Sequence, residues 1–234
     1  MPIATQAGHA AGVATAFKVR HEAGEPMRVA LCSLGDGATS KGDFSEALNL
    51  AGTWQLPLIF VVVNNQWAIS VPRKLQSGAP TLAQKGVGAG LPSIQVDGND
   101  VIALHTVISE AIDRARHGKG ATVIEAITYR LSDHTTADDA SRYRSSEELK
   151  EGWDKDPIKR LRNYLYHNSL WTEQDEQRLK SEADQIVESS VKNYLNTPLP
   201  DISDLFQYHY ANTPQDLLAQ QQDAETQAVG GSSE

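Results

Sequence analysis

The sequence contains a single cysteine, Cys32. One thiol excludes an internal disulfide, and because Cys32 falls inside an apolar run it reads as a small core residue, not a nucleophile. Long apolar runs are missing too. No stretch approaches the ~18 consecutive apolar residues of a membrane-spanning helix, and no basic-then-apolar segment of the secretory kind opens the chain. No membrane partner is expected, and the chain reads as cytoplasmic. Positive charge is in deficit, with 21 Lys and Arg against 30 Asp and Glu and a formal net charge of −9. That balance argues against nucleic acid as a partner, since phosphate backbones are held by clustered cations. There is no internal repeat. What remains is ordinary for a globular chain: 234 residues, 40% hydrophobic and 22% charged, enough for one sizeable core.

The most informative stretch runs from Gly35 to Asn65, GDGATSKGDFSEALNLAGTWQLPLIFVVVNN. An apolar run, Val29 to Leu34, leads into Gly35-Asp36-Gly37 and reads as a buried strand ending in a tight turn. A helix should follow. Asp43 and Glu46 have capping-box spacing, and Phe44, Ala47, Leu48 and Ala51 share one helical face. Leu58 to Val63 is a second buried strand, rich in β-branched residues. Strand, helix and strand make one βαβ unit and imply a parallel sheet flanked by helices, an α/β fold. Both strands then point the same way, so Asp36 and Asn65 should leave the same carboxyl edge, where open α/β sheets bind ligands. A carboxylate and an amide oxygen there suit a hard cation such as Mg²⁺, and the glycines allow backbone N–H groups to approach phosphates.

Three phosphate-binding patterns compete for this stretch. A dinucleotide fingerprint needs a third glycine where Ser40 stands, and a P-loop needs lysine where Asp43 stands. The third is the thiamine diphosphate signature, in which a GDG is followed at about this interval by NN; Asn65 follows Asp36 by 29 residues. Gly86-Val87-Gly88-Ala89-Gly90 looks like half a nucleotide loop, but its spacing is wrong and it precedes a strand.

The rest of the chain is read in order. An Ala/Gly-rich helix is expected over Ala7 to Glu22. Residues 71–92 are expected to be loop with one short helix near Leu82. Ser93 to Val96 should be a strand, Asp100 the cap of a helix reaching His117, and Ala121 to Thr128 a further buried strand. Tyr129 to Arg144 is polar and aperiodic, as functional loops are. Its Asp133, Asp138 and Asp139 are too bunched for a clear metal-ligand spacing, and Arg142, Tyr143 and Arg144 are expected to pin the loop by salt bridges. The last third reads as helical, with a capping box at Ser145 and Glu148, a cap and N1 proline at Asp156-Pro157, and a long helix from Thr172 to Asn196. Phe206, Tyr208 and Tyr210 form a short aromatic strip, either core or a docking surface. The expected division is an α/β domain over 1–145, a helical extension of the same domain over 146–219 and a disordered tail over 220–234.

Three motifs in order carry a resemblance: residues 36–70 around the GDG…NN pair, QVDGND at Gln95 to Asp100, and TYRLSDHTTADDASRYR at Thr128 to Arg144. Together they resemble the alpha subunit of a thiamine-dependent 2-oxo acid dehydrogenase, the decarboxylating component of the pyruvate and branched-chain complexes, over nearly the whole chain to about Gln220. The resemblance implies a thiamine diphosphate-binding fold, thiamine diphosphate and Mg²⁺ as cofactors, and oxidative decarboxylation of a 2-oxo acid, most directly pyruvate on the route from glycolysis to acetyl-CoA. The acyl group would pass to the lipoyl domain of the acyltransferase core. It implies a heterotetramer of two alpha and two beta chains, with the glutamate that activates the cofactor supplied by the beta subunit.

Residue by residue, the resemblance makes Asp36 and Asn65 side-chain metal ligands and the Trp67 carbonyl a third. Gly37 and Ala38 would offer backbone contacts to the diphosphate, Ile3 a backbone group to the aminopyrimidine, and His134 an acid/base imidazole facing the reacting carbon. Some relatives are phosphorylated after that histidine, where this chain has Thr135. Family members also carry a long upstream segment, so this chain is expected to be a fragment, a protein with a mis-assigned start, or a split subunit. Rival readings are a branched-chain or acetoin dehydrogenase alpha chain, a transketolase-like chain, and a non-catalytic remnant that only binds the beta subunit.

Overall fold

A computed structural model describes residues 3–230. It divides the chain into two compact units, residues 1–171 and 172–234. The first opens with α1 (Thr5–Glu22), which buries Ala7, Ala11 and Ala14, with Ala4 buried just ahead of it. β1 (Ala30–Gly35) follows, and then a 3₁₀ turn over Asp36–Ser40. α2 (Gly42–Thr53) buries Phe44, Ala47, Leu48 and Ala51, the face expected from the sequence. Its start differs from expectation. Lys41 is the N-cap and no side chain caps the helix, because the 3₁₀ turn runs directly into it; Asp43 contributes instead as an acid in the first turn, near the positive end of the helix dipole.

β2 (Leu58–Asn64) comes next, followed by a small hairpin of β3 (Trp67–Ala68) and β4 (Val71–Pro72). α3 (Gln84–Gly88), β5 (Ser93–Asp97), α4 (Val101–Arg116) and β6 (Thr122–Ile127) complete the α/β layer. The sheet order is β1-β2-β6-β5 and every pairing is parallel. β2 is central and covered on both faces. Phe60 and Val62 face the α1/α2 side, where Phe60 meets Phe44 edge-on at 5.9 Å between ring centroids. Ile59 and Val61 face the α4 side with Ile124 and Ala111. Near-continuous apolar runs in β2 and β6 follow from that double cover. Asp100 caps α4 by accepting from Ile102 N and Ala103 N at 3.0 and 3.1 Å.

Gly86 lies inside α3, where an added Cβ would come within 2.5 Å of Val123 Cγ2. The glycine-rich string at 86–90 is thus a close helix–sheet contact, not a phosphate loop. α5 (Ser146–Trp153) and α6 (Pro157–His167) group with the first compact unit, which ends at Trp171. Arg160 of α6 bonds Asp97 at 2.5 Å and Asp100 at 2.7 Å. Ser145 caps α5 through Glu148 N at 3.2 Å, but only half of the expected capping box forms, because the Glu148 carboxyl accepts from Trp67 Nε1 at 3.2 Å.

In the second unit α7 (Glu173–Leu195) begins with a reciprocal capping box between Thr172 and Asp175. α8 (Asp204–Gln207) carries Phe206, while Tyr208 and Tyr210 are exposed. α9 (Gln215–Gly230) occupies most of the stretch expected to be disordered. Gln215–Gly230 is rich in Gln and Ala and holds no proline, which favours a helix; residues 231–234 lie outside the described residues. Among the described residues no helix is long and apolar enough to cross a membrane.

Gly52 tests how tightly α2 is packed. A Cβ there would come 2.2 Å from the Ala89 carbonyl oxygen, a backbone atom with little room to yield. Gly52→Ala is expected to destabilise the protein by about 1–3 kcal/mol, the range for overpacking. Urea denaturation measures it, and an unchanged midpoint would show that the 89–91 turn shifts freely.

Candidate functional site

The site forms where β1 and β2 end. Gly35 pairs with Val63 in the parallel register, so Asp36 and Asn65 leave the sheet at one edge. Asp36 is buried, at 3% exposure. Its Oδ2 accepts from Gln76 Nε2 at 3.2 Å. Burial pushes the Asp36 carboxyl up from its ordinary value, and the bonds from Gln76 and the backbone, with the charge of Arg73, offset only part of that push. Thr39 Oγ1 donates to Asp36 O at 2.7 Å and so closes the turn. Lys85 Nζ donates to Thr39 O and Oγ1 at 2.6 and 3.1 Å; its own pKa is lowered by burial and by Arg73.

Gly37 has a steric reason to be glycine, since an added Cβ would lie 2.7 Å from Ala68 Cβ in the hairpin. Ala38 is buried beside it.

The two asparagines divide their work. Asn64 is buried, and its Nδ2 donates to Glu125 Oε1 at 2.7 Å while its Oδ1 accepts from Gln66 N at 3.2 Å. Asn65 is half-buried, and its Oδ1 accepts from Trp67 N at 3.1 Å, leaving a second lone pair free. The Trp67 carbonyl accepts from Arg130 Nη1 at 3.5 Å. Asp36, Gly37, Ala38, Asn65 and Trp67 are thus gathered at one edge. Ile3 lies just ahead of α1, 51% exposed. His134 lies on the 129–144 loop with an exposed imidazole, and its backbone N–H donates to Asp138 Oδ2 at 2.8 Å.

That loop is held differently from the expectation. Arg130 Nη2 donates to Ile69 O at 2.9 Å and to Tyr143 OH at 2.7 Å, and Tyr143 OH donates to Asp138 Oδ2 at 2.5 Å. Arg144 donates to the carbonyls of Arg130, Leu131 and Ser132. Bonds to neutral groups do most of the pinning; among the described residues the loop's ion pair is Arg130 with Asp138 at 4.0 Å. The Tyr143 hydroxyl, followed by the His134 N–H, holds Asp138 below the usual carboxylate range. Asp133 and Asp139 are turned onto Ala140 N and Ser141 N. Among the described residues no group of three His, Cys, Asp or Glu side chains is placed to hold a metal.

A cavity of about 1210 Å³ adjoins this edge and is lined by Asn64, Trp67, Glu125, Tyr129, Glu148 and Lys155 among others. Its lining does not include Asp36 or His134, so the donor chemistry, not this cavity, defines the candidate site. Glu125, Arg130, Gln76 and Lys85 were not singled out from the sequence. Glu125 was detectable as a lone carboxyl within the apolar run TVIEAI. Gln76 carried no signal, since its role depends on a contact 40 residues away. Its Oε1 is buried without a hydrogen-bond partner, a state that costs about 1–3 kcal/mol.

Residues 1–203 match the family model described as dehydrogenase E1 component. The chain is 45% identical over 222 residues to the 3-methyl-2-oxobutanoate dehydrogenase subunit alpha of Mycobacterium tuberculosis, covering 95% of this chain and 59% of that protein. It is 42% identical over 216 residues to the pyruvate dehydrogenase E1 component subunit alpha of Acholeplasma laidlawii, covering 91% and 61%. A Staphylococcus aureus protein of the same description is 42% identical over 219 residues, covering 93% and 58%. The chain therefore spans about three fifths of the length of the curated relatives it matches.

The raised Asp36 pKa has a definite sign. Asp36 binds its proton more tightly folded than unfolded, so its contribution to the metal-free fold is fully present below the unfolded pKa of about 3.9. That contribution is lost as pH rises through the higher folded value. In chelator, Asp36→Asn should therefore gain stability relative to the unsubstituted protein as pH rises through that window. Urea midpoints across a pH series measure the gap, and a gap independent of pH would contradict the assignment.

Proposed function

The chain belongs to the dehydrogenase E1 component family, and on that premise we propose that it acts as the alpha subunit of a thiamine diphosphate- and Mg²⁺-dependent 2-oxo acid dehydrogenase. The observation that carries the reading is the buried Asp36 carboxyl at the shared edge of β1 and β2, beside Asn65. Its desolvation is not balanced by the donors around it. A divalent cation would supply the missing counter-charge, and the donors at hand are hard oxygens, as Mg²⁺ prefers. Asp36 Oδ, Asn65 Oδ1 and the Trp67 carbonyl fit that role, and each retains acceptor capacity.

Thiamine diphosphate, when bound, supplies the electron sink for decarboxylation. The chain's own residues bind and orient. Asp36, Asn65 and the Trp67 carbonyl would hold the cation, Gly37 and Ala38 would offer backbone N–H groups to the diphosphate, and Ile3 would offer a main-chain group to the aminopyrimidine. His134, on the loop pinned by Arg130, Tyr143 and Arg144, donates and accepts a proton at an imidazole nitrogen. The activating carboxylate comes from a beta subunit in a two-alpha, two-beta assembly, and the acyl product passes to a lipoyl domain. Pyruvate is the substrate proposed first, and 3-methyl-2-oxobutanoate the second, since relatives of both descriptions match over the same region.

Carbon dioxide release tests the proposal. The chain combined with a beta chain, thiamine diphosphate and Mg²⁺ is expected to decarboxylate one of these two acids, and the chain alone to release none. Asp36→Ala should abolish Mg²⁺-dependent cofactor binding in calorimetry. Release from neither acid, or steady release without a beta chain, would overturn the reading.

His134→Ala is expected to lower turnover by ~10²–10⁴-fold, the range for one positioned acid/base group, with cofactor affinity changed much less. Turnover near the unsubstituted rate would make His134 a loop residue only.

A further inference from the structure

We propose that Gln76 is a positioning residue for the divalent-cation site: it fixes the orientation of the Asp36 carboxylate. The proposal rests on the metal-site reading above. Gln76 Nε2 donates to Asp36 Oδ2 at 3.2 Å and to Val71 O at 3.1 Å. Two acceptors on one side require the amide nitrogen there, so the carboxamide can face only one way. Its Oε1 is then left buried with no hydrogen-bond partner, 3.5 Å from where a Cβ on Gly37 would lie. A rotamer that leaves an acceptor unsatisfied is an unfavourable choice unless the nitrogen side is needed. The need on that side is the buried Asp36 oxygen.

The backbone around Gln76 is built to keep it there. Ser40 Oγ, at the end of the Asp36 turn, donates to Gln76 O at 3.3 Å. Arg73 donates to the carbonyls of Ser77 and Ala79 at 3.1 and 2.7 Å and so curls the 73–79 segment around its own guanidinium. Lys85 ties the far end of the same segment to Thr39. The segment from Arg73 to Lys85 is therefore a strap across the Asp36–Ser40 turn, and Gln76 is its side-chain contact with Asp36. Partners that orient a metal ligand from outside its coordination sphere tune affinity without touching the ion.

The test uses Mn²⁺ as the probe, with thiamine diphosphate present and the chain purified together with a beta chain. Gln76→Met keeps the length and packing of the side chain and removes the donor. Its Mn²⁺ dissociation constant is expected to rise ~10–100-fold, the usual cost of losing such a partner. The electron paramagnetic resonance line shape of the saturated site should also change, because the carboxylate is free to rotate. A purely structural residue would alter the urea midpoint and leave that line shape alone. Gln76→Asn, which keeps the amide but shortens the reach, gives a second variant if the methionine one does not fold. Unchanged Mn²⁺ affinity and line shape in a folded Gln76 variant, with Asp36→Ala losing the metal, would overturn the positioning role and leave the functional reading intact. No Mn²⁺ uptake by the unsubstituted protein, or uptake that Asp36→Ala does not disturb, would overturn the metal site and this proposal together.

Discussion

Glu125 has no exposed surface, yet it stands in a buried strand beside Val123, Ile124 and Ala126. A carboxyl group in that position must be satisfied where it is, since leaving it unpaired in the interior is far costlier than any single packing contact. It is met on both oxygens: Asn64 Nδ2 donates to Oε1 at 2.7 Å, and Ala83 N donates to Oε2 at 2.9 Å. Those two bonds tie three pieces of chain together. They join β2 to β6 beyond the sheet ladder, and they anchor the chain just ahead of α3 over the same strand. The strap that brings Gln76 to Asp36 and Lys85 to Thr39 is fixed between the two at Ala83.

Fixing Asn64 inward also decides what its neighbour can do. With Asn64 committed to Glu125 and Gln66, Asn65 is left to cap the turn that leads to Trp67. The hairpin that follows is reached through Gln66 and Ile69, both in the left-handed region at φ 73 and 55. Non-glycine residues hold that conformation only where their surroundings require it. Gln66 is held by its own side chain on Asn64, and Ile69 by Arg130 on its carbonyl. The loop bearing His134 and the turn bearing Asp36 thus share one support, the Trp67 hairpin.

Where the sequence was informative, the reason was local. The β-branched run 58–63 and the Phe44, Ala47, Leu48, Ala51 stripe each carry their own period, and the structure places both as expected. Asp100, Asp156 and Thr172 cap helices because the donors they need are two or three residues ahead. Expectations failed where a distant partner intervened. Glu148 has capping-box spacing but is drawn to Trp67, 81 residues away. Gly86 resembles a phosphate loop until Val123 is seen against it. The tail at 220–230 has a composition that suits either a disordered segment or a helix, and composition alone did not separate them. At the candidate site, the edge that joins Asp36 to Asn65 was legible from the βαβ order; the parts that hold it were not, because Gln76, Arg130 and Glu125 act across long sequence separations.

The contact between Gly37 and Ala68 carries a historical consequence. A methyl group on residue 37 would sit 2.7 Å from the methyl of residue 68, so the two positions cannot both bear one. In any lineage descended from this chain, the first can acquire a side chain only after the second has lost its own. Reversing that order passes through a protein whose turn and hairpin collide. The second glycine of the Gly-Asp-Gly signature is therefore guarded by a residue outside it, and a comparison of descendants should find a side chain at position 37 only where position 68 has lost its methyl group.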